Sequence, residues 1–330
     1  MELIKKSITD NLRWLVEEIG YLINPILLKI KGENSQLLAF YFHALYESQE
    51  QKKLNHIDPQ KNMTVKQFEN FVDYFLSKGY SFIKPTDVLK GIPAEGRYVM
   101  LTFDDGYYNN LLALGVLEKY RIPAAFFITG NNIKNNTSFW WDVIYKYRTS
   151  EGVSKISIQH EQENIKHFKY DQINSYIIKT FGKNAFVPWS DIDRPMTEDE
   201  VKTLAESPYS LIGNHTLNHA ILPNYTKDEI RKEFIGSNEY LKKLTGIVPS
   251  VVAFPNGNFN DSTLEVAEEV GFRVAFNATA KVNKLPENTG KMIMLNRFMS
   301  NDNNIRCYGS FYRMGYTPGI LKTMIRNKFT

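Results

Sequence analysis

Only one cysteine, Cys307, occurs in the 330-residue chain. That excludes an internal disulfide framework and fits a reducing compartment. Charge of one sign is equally scarce. Lys and Arg number 40 against 36 Asp and Glu, a formal net charge of +4. No basic run or Lys/Arg stripe is present to follow a phosphate backbone, so nucleic acid is not an expected partner. Long apolar runs are missing too. Glu17 and Glu18 interrupt the apolar N-terminal stretch, and Tyr21 to Ile30 is too short to span a bilayer. With no small-residue cleavage site after it, no signal peptide is read, and the expected location is the cytoplasm or the inner face of a membrane. Two readings stay open for this stretch: a helix packed on the domain, or an interfacial helix turning Trp14, Tyr21 and Ile26 to Leu28 towards lipid headgroups. The C-terminal "GILKTMIRNKFT" carries the same pair of readings, so a peripheral membrane contact remains open.

What is present is a 43% hydrophobic content, enough for a sizeable core. Short apolar runs bounded by turn residues recur: "LLAFYFHA", "YSFIKPT", "RYVMLTFDDG", "PAAFFITG", "SLIGNHT", "PSVVAFPNG", "FRVAFNAT" and "KMIMLNRF". Most lack alternation, as strands covered on both faces do. Helical patterns lie between them. Residues 64–79 put Phe68, Phe71, Val72, Phe75 and Leu76 on one face, with Thr64 as N-cap and Gly79 as stop. This alternation predicts an α/β fold, a closed or nearly closed barrel of about seven or eight strands. The expected divisions are an N-terminal helical segment over 1–36, a barrel over 37–300 and a C-terminal tail over 301–330. A polar stretch at about 133–196 breaks the rhythm and reads as an insertion over the barrel mouth.

Polar residues gather at the C-terminal ends of the predicted strands: His43, Asp104, Asp105, Thr129, His215, Asn256, Asn277 and Arg297. That is the end where α/β barrels build active sites. Adjacent carboxylates after a buried strand are a signal because burying either one unpaired is costly, although a "DDG" turn also arises in ordinary loops. His215 and His219 stand four apart, so on one helical turn or in a tight loop both imidazoles can meet one cation. One carboxylate and two imidazoles suit zinc or a similar divalent ion, with positions left open for water and substrate. Successive side chains diverge, so Asp105 can face the metal while Asp104 addresses the water beside it.

At these residues the chain resembles the polysaccharide deacetylases of the NodB homology superfamily. The matching motifs are "TFDDG" at 102–106, "HTLNH" at 215–219 and "FPNG" at 254–257, with further likeness in "FENFVDYFLSKGYSFI" and "RIPAAFFITG". The likeness runs from about Leu38 to Phe298. It implies a distorted (β/α) barrel, removal of an acetyl group from an acetylated, usually N-acetylated, sugar, and one divalent metal ion, with Zn2+ expected. It also implies Asp104 as base and Asp105, His215 and His219 as metal ligands. Many members carry an arginine just before the proline–glycine motif, where this chain reads "SVVAFPNG"; Arg297 is similar to an arginine that a subgroup supplies from a later strand. No histidine follows His219, whereas many members place their general acid there. A permuted branch has it in the first strand, in a "YH" context that "AFYFHALY" resembles, which implies His43 as acid.

Backbone donors near Asn256 are expected at the developing oxyanion. Trp140, Trp141, Trp189, Tyr107 and Tyr108 are candidates for sugar-stacking surfaces, with Tyr107 and Trp141 as substrate residues. The competing reading is a carbohydrate-binding protein on the same scaffold that no longer catalyses.

Overall fold

The computed structural model describes residues 26–30, 32–33, 37–60, 62–285, 290–300 and 305–315. Trp14, Tyr21 and the segment "GILKTMIRNKFT" lie outside the described residues. The strands are β1 (Leu37–Phe42), β2 (Leu45–Tyr46), β3 (Met63–Thr64), β4 (Ser81–Phe82), β5 (Tyr98–Phe103) and β6 (Ala124–Ile128). They continue with β7 (Ser210–Asn214), β8 (Val251–Ala253), β9 (Val274–Phe276), β10 (Ile293–Leu295) and β11 (Phe298–Met299). The helices are α1 (26–30), α2 (Gln49–Lys52), α3 (Val65–Ser77), α4 (Leu112–Tyr120), α5 (Gly130–Asn135) and α6 (Trp140–Ser150). After them come α7 (Lys155–Ile165), α8 (Tyr170–Phe181), α9 (Glu198–Glu206), α10 (Lys227–Thr245), α11 (Asp261–Val270) and α12 (Ile305–Arg313).

Each predicted run is a strand, and every pair in the main sheet is parallel. The path runs β10-β9-β8-β7-β6-β5-β1-β11, with β4 paired to β5 off the path. Its two edge strands, β10 and β11, are separated only by Asn296 and Arg297. The sheet must therefore curl until its edges face each other, which makes the distorted (β/α) barrel. Asn283 clasps this seam: its side chain accepts from the Asn296 N–H at 2.8 Å and donates to the Asn296 carbonyl at 2.9 Å.

Inside the sheet β5 and β6 are buried along their whole length, as the unbroken apolar runs require. Phe42, Phe103 and Phe126 stack in series, with ring centroids 5.1 and 5.0 Å apart. Helix α3 starts at a capping box between Thr64 and Gln67 and buries Phe68, Phe71, Val72 and Phe75. Leu76, expected on that face, is instead exposed at the helix rim.

Between β6 and β7 the expected insertion contains α6, α7 and α8. These helices have their own small core, in which Val143, Ile144, Ile158, Ile165, Ile173 and Ile177 meet Ile57 from the segment after β2. Within the expected C-terminal segment, residues 305–315 are described. Residues 305–313 form α12, whose Tyr312 packs edge-on against Phe40 at 5.0 Å and whose Tyr308, Phe311 and Met314 contact Leu27 and Leu28 of α1. Among the described residues no helix is long and apolar enough to cross a membrane.

Candidate active site

Strand β5 delivers both carboxylates. The Asp104 N–H still bonds to the Phe42 carbonyl of β1 at 2.9 Å, and the chain then reverses through Asp105 (φ 75°) and Gly106 (φ 89°). A left-handed non-glycine residue is a conformation that surrounding structure must hold in place. The reversal sends the two side chains apart, Asp104 to the barrel seam and Asp105 to β7.

At the end of β7 the histidines come from a tight loop, not a helical turn. Thr216 (φ 63°) and His219 (φ 51°) are both left-handed. Buried Asn214 organises the loop: it accepts from the Thr216 N–H at 2.7 Å and donates to the Phe234 carbonyl at 3.0 Å and to Asn238 at 2.8 Å. The Thr216 hydroxyl then accepts from the Ala220 N–H at 2.9 Å. Sequence reasoning did not single out Asn214; the signal was an amide one residue ahead of a histidine motif, where a loop needs a side chain to cap its backbone donors.

Asp105, His215 and His219 offer ligand atoms that all lie within 4.8 Å of one another, and all three residues are buried. Asp105 Oδ1 is 3.2 Å from His215 Nε2 and 3.3 Å from His219 Nε2. Both Asp105 oxygens are buried without a hydrogen-bond partner, a costly state for a carboxylate unless a cation completes it. His215 Nδ1 is 2.8 Å from the Ala253 carbonyl, which fixes its N–H there and leaves Nε2 as the lone-pair nitrogen. Burial pushes the Asp105 carboxyl up, but the two imidazoles beside it win and hold it well below the carboxylate range. Burial pushes the His219 imidazole down, which favours the neutral form that ligates metals. An oxygen and two imidazole nitrogens with open positions fit a divalent ion such as zinc.

Arg297, at the seam, grips Asp104 with both arms of its guanidinium, Nη1 to Oδ1 at 2.7 Å and Nη2 to Oδ2 at 2.8 Å. It also donates to the Thr102 hydroxyl at 2.9 Å and to the Asn277 carbonyl at 3.0 Å, and it lies 4.8 Å from the Tyr41 ring centroid. His43 follows β1, half-buried, with its ring edge-on to Tyr41 at 5.6 Å. Asn256 (φ 54°) and Gly257 (φ 71°) form the turn after β8, where a side chain on Gly257 would collide with the Ala278 backbone.

Asp104, Asp105, His215, His219, His43, Arg297, Asn256 and Trp141 all border one cavity of about 620 Å³. Helices of the insertion form its far wall, with Gln159, Gln162 and Glu163 on α7 and Lys166 at its C-terminal cap. Tyr107 is not brought to it. The left-handed turn aims this side chain inward, where it is buried against Phe139 with its hydroxyl donating to Asp142 at 2.5 Å and accepting from Trp141 Nε1 at 2.9 Å. Neither Tyr108 nor Trp189 lines the cavity; Trp189 packs on His56 and Tyr147 instead. Asp142, which sequence reasoning missed, also accepts from the Asp58 N–H at 2.8 Å, and burial drives its carboxyl well above the carboxylate range. Through the Tyr107 hydroxyl it thereby links the cavity residue Asp58 to Trp141, whose ring lies 4.4 Å from that of His219.

A curled parallel sheet with a cation-ready Asp–His–His cluster and a second carboxylate at its mouth defines a NodB-like deacetylase barrel. The sequence profile of the polysaccharide deacetylase family matches residues 91–275, and the chain belongs to that family. It is 34% identical over 197 residues to a peptidoglycan-N-acetylglucosamine deacetylase of Bacillus cereus, covering 56% of this chain and 66% of that protein. To the peptidoglycan-N-acetylmuramic acid deacetylase PdaA of Bacillus subtilis it is 23% identical, covering 58% and 51%. The chain thus matches about half to two-thirds of the length of these curated relatives. Among solved structures, IcaB from Ammonifex degensii superposes with a TM-score of 0.57 at 17% identity, covering 86% of this chain and 98% of that one. The Streptococcus pyogenes deacetylase PplD in complex with acetate gives 0.55 at 18%, covering 81% and 93%. Likeness at that identity bears on the fold alone.

Proposed function

We propose that this chain is a metal-dependent deacetylase that removes the N-acetyl group of a sugar in a polysaccharide or glycan precursor. The observation that carries the reading is the buried Asp105 carboxylate, unpartnered and facing two imidazoles, beside an arginine-held Asp104 in the same cavity. A divalent ion held by Asp105, His215 and His219 would supply an acidic water and polarise the acetyl carbonyl.

The chain's own residues account for the remaining proton traffic. Asp104 is the base. Arg297 occupies one lone pair on each of its oxygens, which leaves others to take a proton from the attacking water. The planar guanidinium fork holds both carboxylate oxygens and so keeps Asp104 aimed. N–H groups of the Asn256 turn face the developing oxyanion. His43, on the β1 side of the cavity, donates the proton that lets the amine leave, help worth on the order of 10²–10⁴ in rate. Trp141 offers its ring to the sugar.

The test is acetate release from an N-acetylglucosamine tetramer with zinc-loaded wild type, Asp104→Asn and His215→Ala, alongside metal content. Wild type should bind about one ion and release acetate. Asp104→Asn should keep the metal and lose turnover, and His215→Ala should lose both. Metal and sugar binding without acetate release would replace this reading with a non-catalytic carbohydrate-binding one.

A further inference from the structure

His43 is the first residue past both ladders of β1, which end at the pairs Phe42–Phe103 and Tyr41–Met299. We propose that Asn110 and Tyr41 are positioning residues that hold this histidine at the leaving nitrogen of the substrate. This rests on the deacetylase reading, in which His43 is the acid, and adds to it how that acid is held.

Beyond the ladders, side-chain amides take over the hydrogen bonds of the strand. The His43 carbonyl accepts from Nδ2 of Asn110, and the Ala44 N–H donates to Oδ1 of Asn62 at 3.2 Å. Both asparagines are buried, and without them the backbone groups at this bend would lose their partners. Asn110 belongs to the single 3-10 turn Tyr108–Leu111 that follows the carboxylate motif, with its own N–H bonded to the Tyr107 carbonyl at 3.0 Å. The segment that delivers Asp104 and Asp105 therefore also fixes the backbone of the acid.

The imidazole itself is held by little else. Among the described residues neither ring nitrogen of His43 has a hydrogen bond, which leaves both open for proton transfer and neither to orient the ring. Its one ring contact among the described residues is with Tyr41, at 5.6 Å and with the planes at 85°. Alternation along β1 turns Tyr41 and His43 to the cavity, while Phe40 and Phe42 pack against Phe71 of α3. The Arg297 guanidinium lies 4.8 Å from the centroid of the same Tyr41 ring. Tyr41 thus spaces the acid from the arginine that aims the base. Asp104 is oriented by a two-pronged side-chain pair; His43 is oriented by its backbone and by this ring.

The test exploits the leaving group. When the amide C–N bond breaks, its electron pair goes to nitrogen, which needs the proton that His43 gives. In 4-nitrophenyl acetate the pair of the C–O bond leaves with a phenolate that needs none. A misplaced acid should therefore slow the amide more than the ester. The measurement is the ratio of kcat on an N-acetylglucosamine tetramer to kcat on 4-nitrophenyl acetate, in zinc-loaded wild type, His43→Ala, Asn110→Leu, Tyr41→Leu and Tyr41→Phe. The ratio should fall on the order of 10²–10⁴-fold in His43→Ala. It should fall about tenfold or more in Asn110→Leu and Tyr41→Leu, and Tyr41→Phe, which keeps the ring, should restore it. In a His43→Ala background Asn110→Leu should lower the ratio no further, because the two act as one unit. A ratio equal to wild type in both Asn110→Leu and Tyr41→Leu overturns the positioning role, whatever either change does to folding or to both rates together. Tyr41→Leu carries the test if Asn110→Leu does not fold. A wild-type ratio in His43→Ala removes His43 as acid and this inference with it, while acetate release from the tetramer by wild type would still uphold the deacetylase. Wild type that releases acetate from the ester alone, or from neither, overturns the N-deacetylase reading and the positioned acid together.

Discussion

Arg297 and Asp104 stand 193 positions apart and meet in a two-pronged pair at 2.7 and 2.8 Å, both buried. The arginine lies between the two edge strands that the barrel brings together, so closing the sheet and aiming the base are one structural event. A lysine could supply the charge but not the planar fork that fixes both carboxylate oxygens.

Arg297→Lys should therefore load zinc normally and lose about 10²-fold in kcat, because Asp104 keeps a cation but not its orientation. Arg297→Met should also lose about 3–5 kcal/mol of stability, since it leaves a buried carboxylate without its counter-charge. Steady-state kinetics and urea unfolding read the two effects separately. Wild-type kcat in Arg297→Lys would remove the arginine from the mechanism.

Zinc should raise the melting temperature of the wild type and leave Asp105→Asn and His215→Ala unmoved. The physical cause is the unpartnered Asp105 carboxylate, which only a cation completes. At a free metal concentration 100 times Kd the gain should be about 2.7 kcal/mol by mass action. Equal zinc shifts in all three proteins would place the ion elsewhere.

How far this was legible in the sequence varies by element. The long strands were, because burial on both faces writes itself as an unbroken apolar run in β5 and β6. Two-residue β11 was not: Phe298 and Met299 are a strand only because Phe40 and Tyr41 pair with them across the seam. Asp105, His215 and His219 stood out because their chemistry needs those residue types, while the roles of Arg297 and His43 came only from likeness to a family. Tyr107 misled, since an aromatic after a mouth motif looks exposed until the left-handed Asp105–Gly106 turn drives it inward. Asp142 was invisible, because its partners, the Tyr107 hydroxyl and the Asp58 N–H, come from two distant segments that only folding brings to it.

Glu33 should make the stability pH-dependent in acid. Burial opposes its ionisation, but hydrogen bonds from Arg313 and Tyr80 and the charges of Arg313 and Arg97 win, bringing its pKa from 4.5 down to about 2. A lowered folded-state pKa contributes stability above the unfolded value and loses it as pH falls through the folded one. Glu33→Gln should accordingly cost about 1–2 kcal/mol at neutral pH. The gap to wild type should shrink below about pH 4.5 and close towards pH 2. Urea midpoints of both proteins across that range check it, and a pH-independent gap would mean that packing rather than charge ties 32–33 to α12.

Lys146 and Asp193 form a fully buried ion pair at 2.6 Å that clasps α6 to the segment before α9. Asp193 also accepts from Ser138, the Trp189 N–H and the Ser190 N–H, so it has three other donors when the lysine goes, but no cation. Lys146→Met should cost about 3–5 kcal/mol, the penalty for an uncompensated buried charge. Trp140 and Trp141 share α6 with Lys146, whereas Asp104, Asp105, His215 and His219 follow barrel strands outside this clasp. Loosening α6 should therefore raise KM for an acetylated tetramer by more than it lowers kcat. A fall in kcat with KM unchanged would instead mean that the insertion holds the catalytic groups themselves, through the contact of the Trp141 ring with His219.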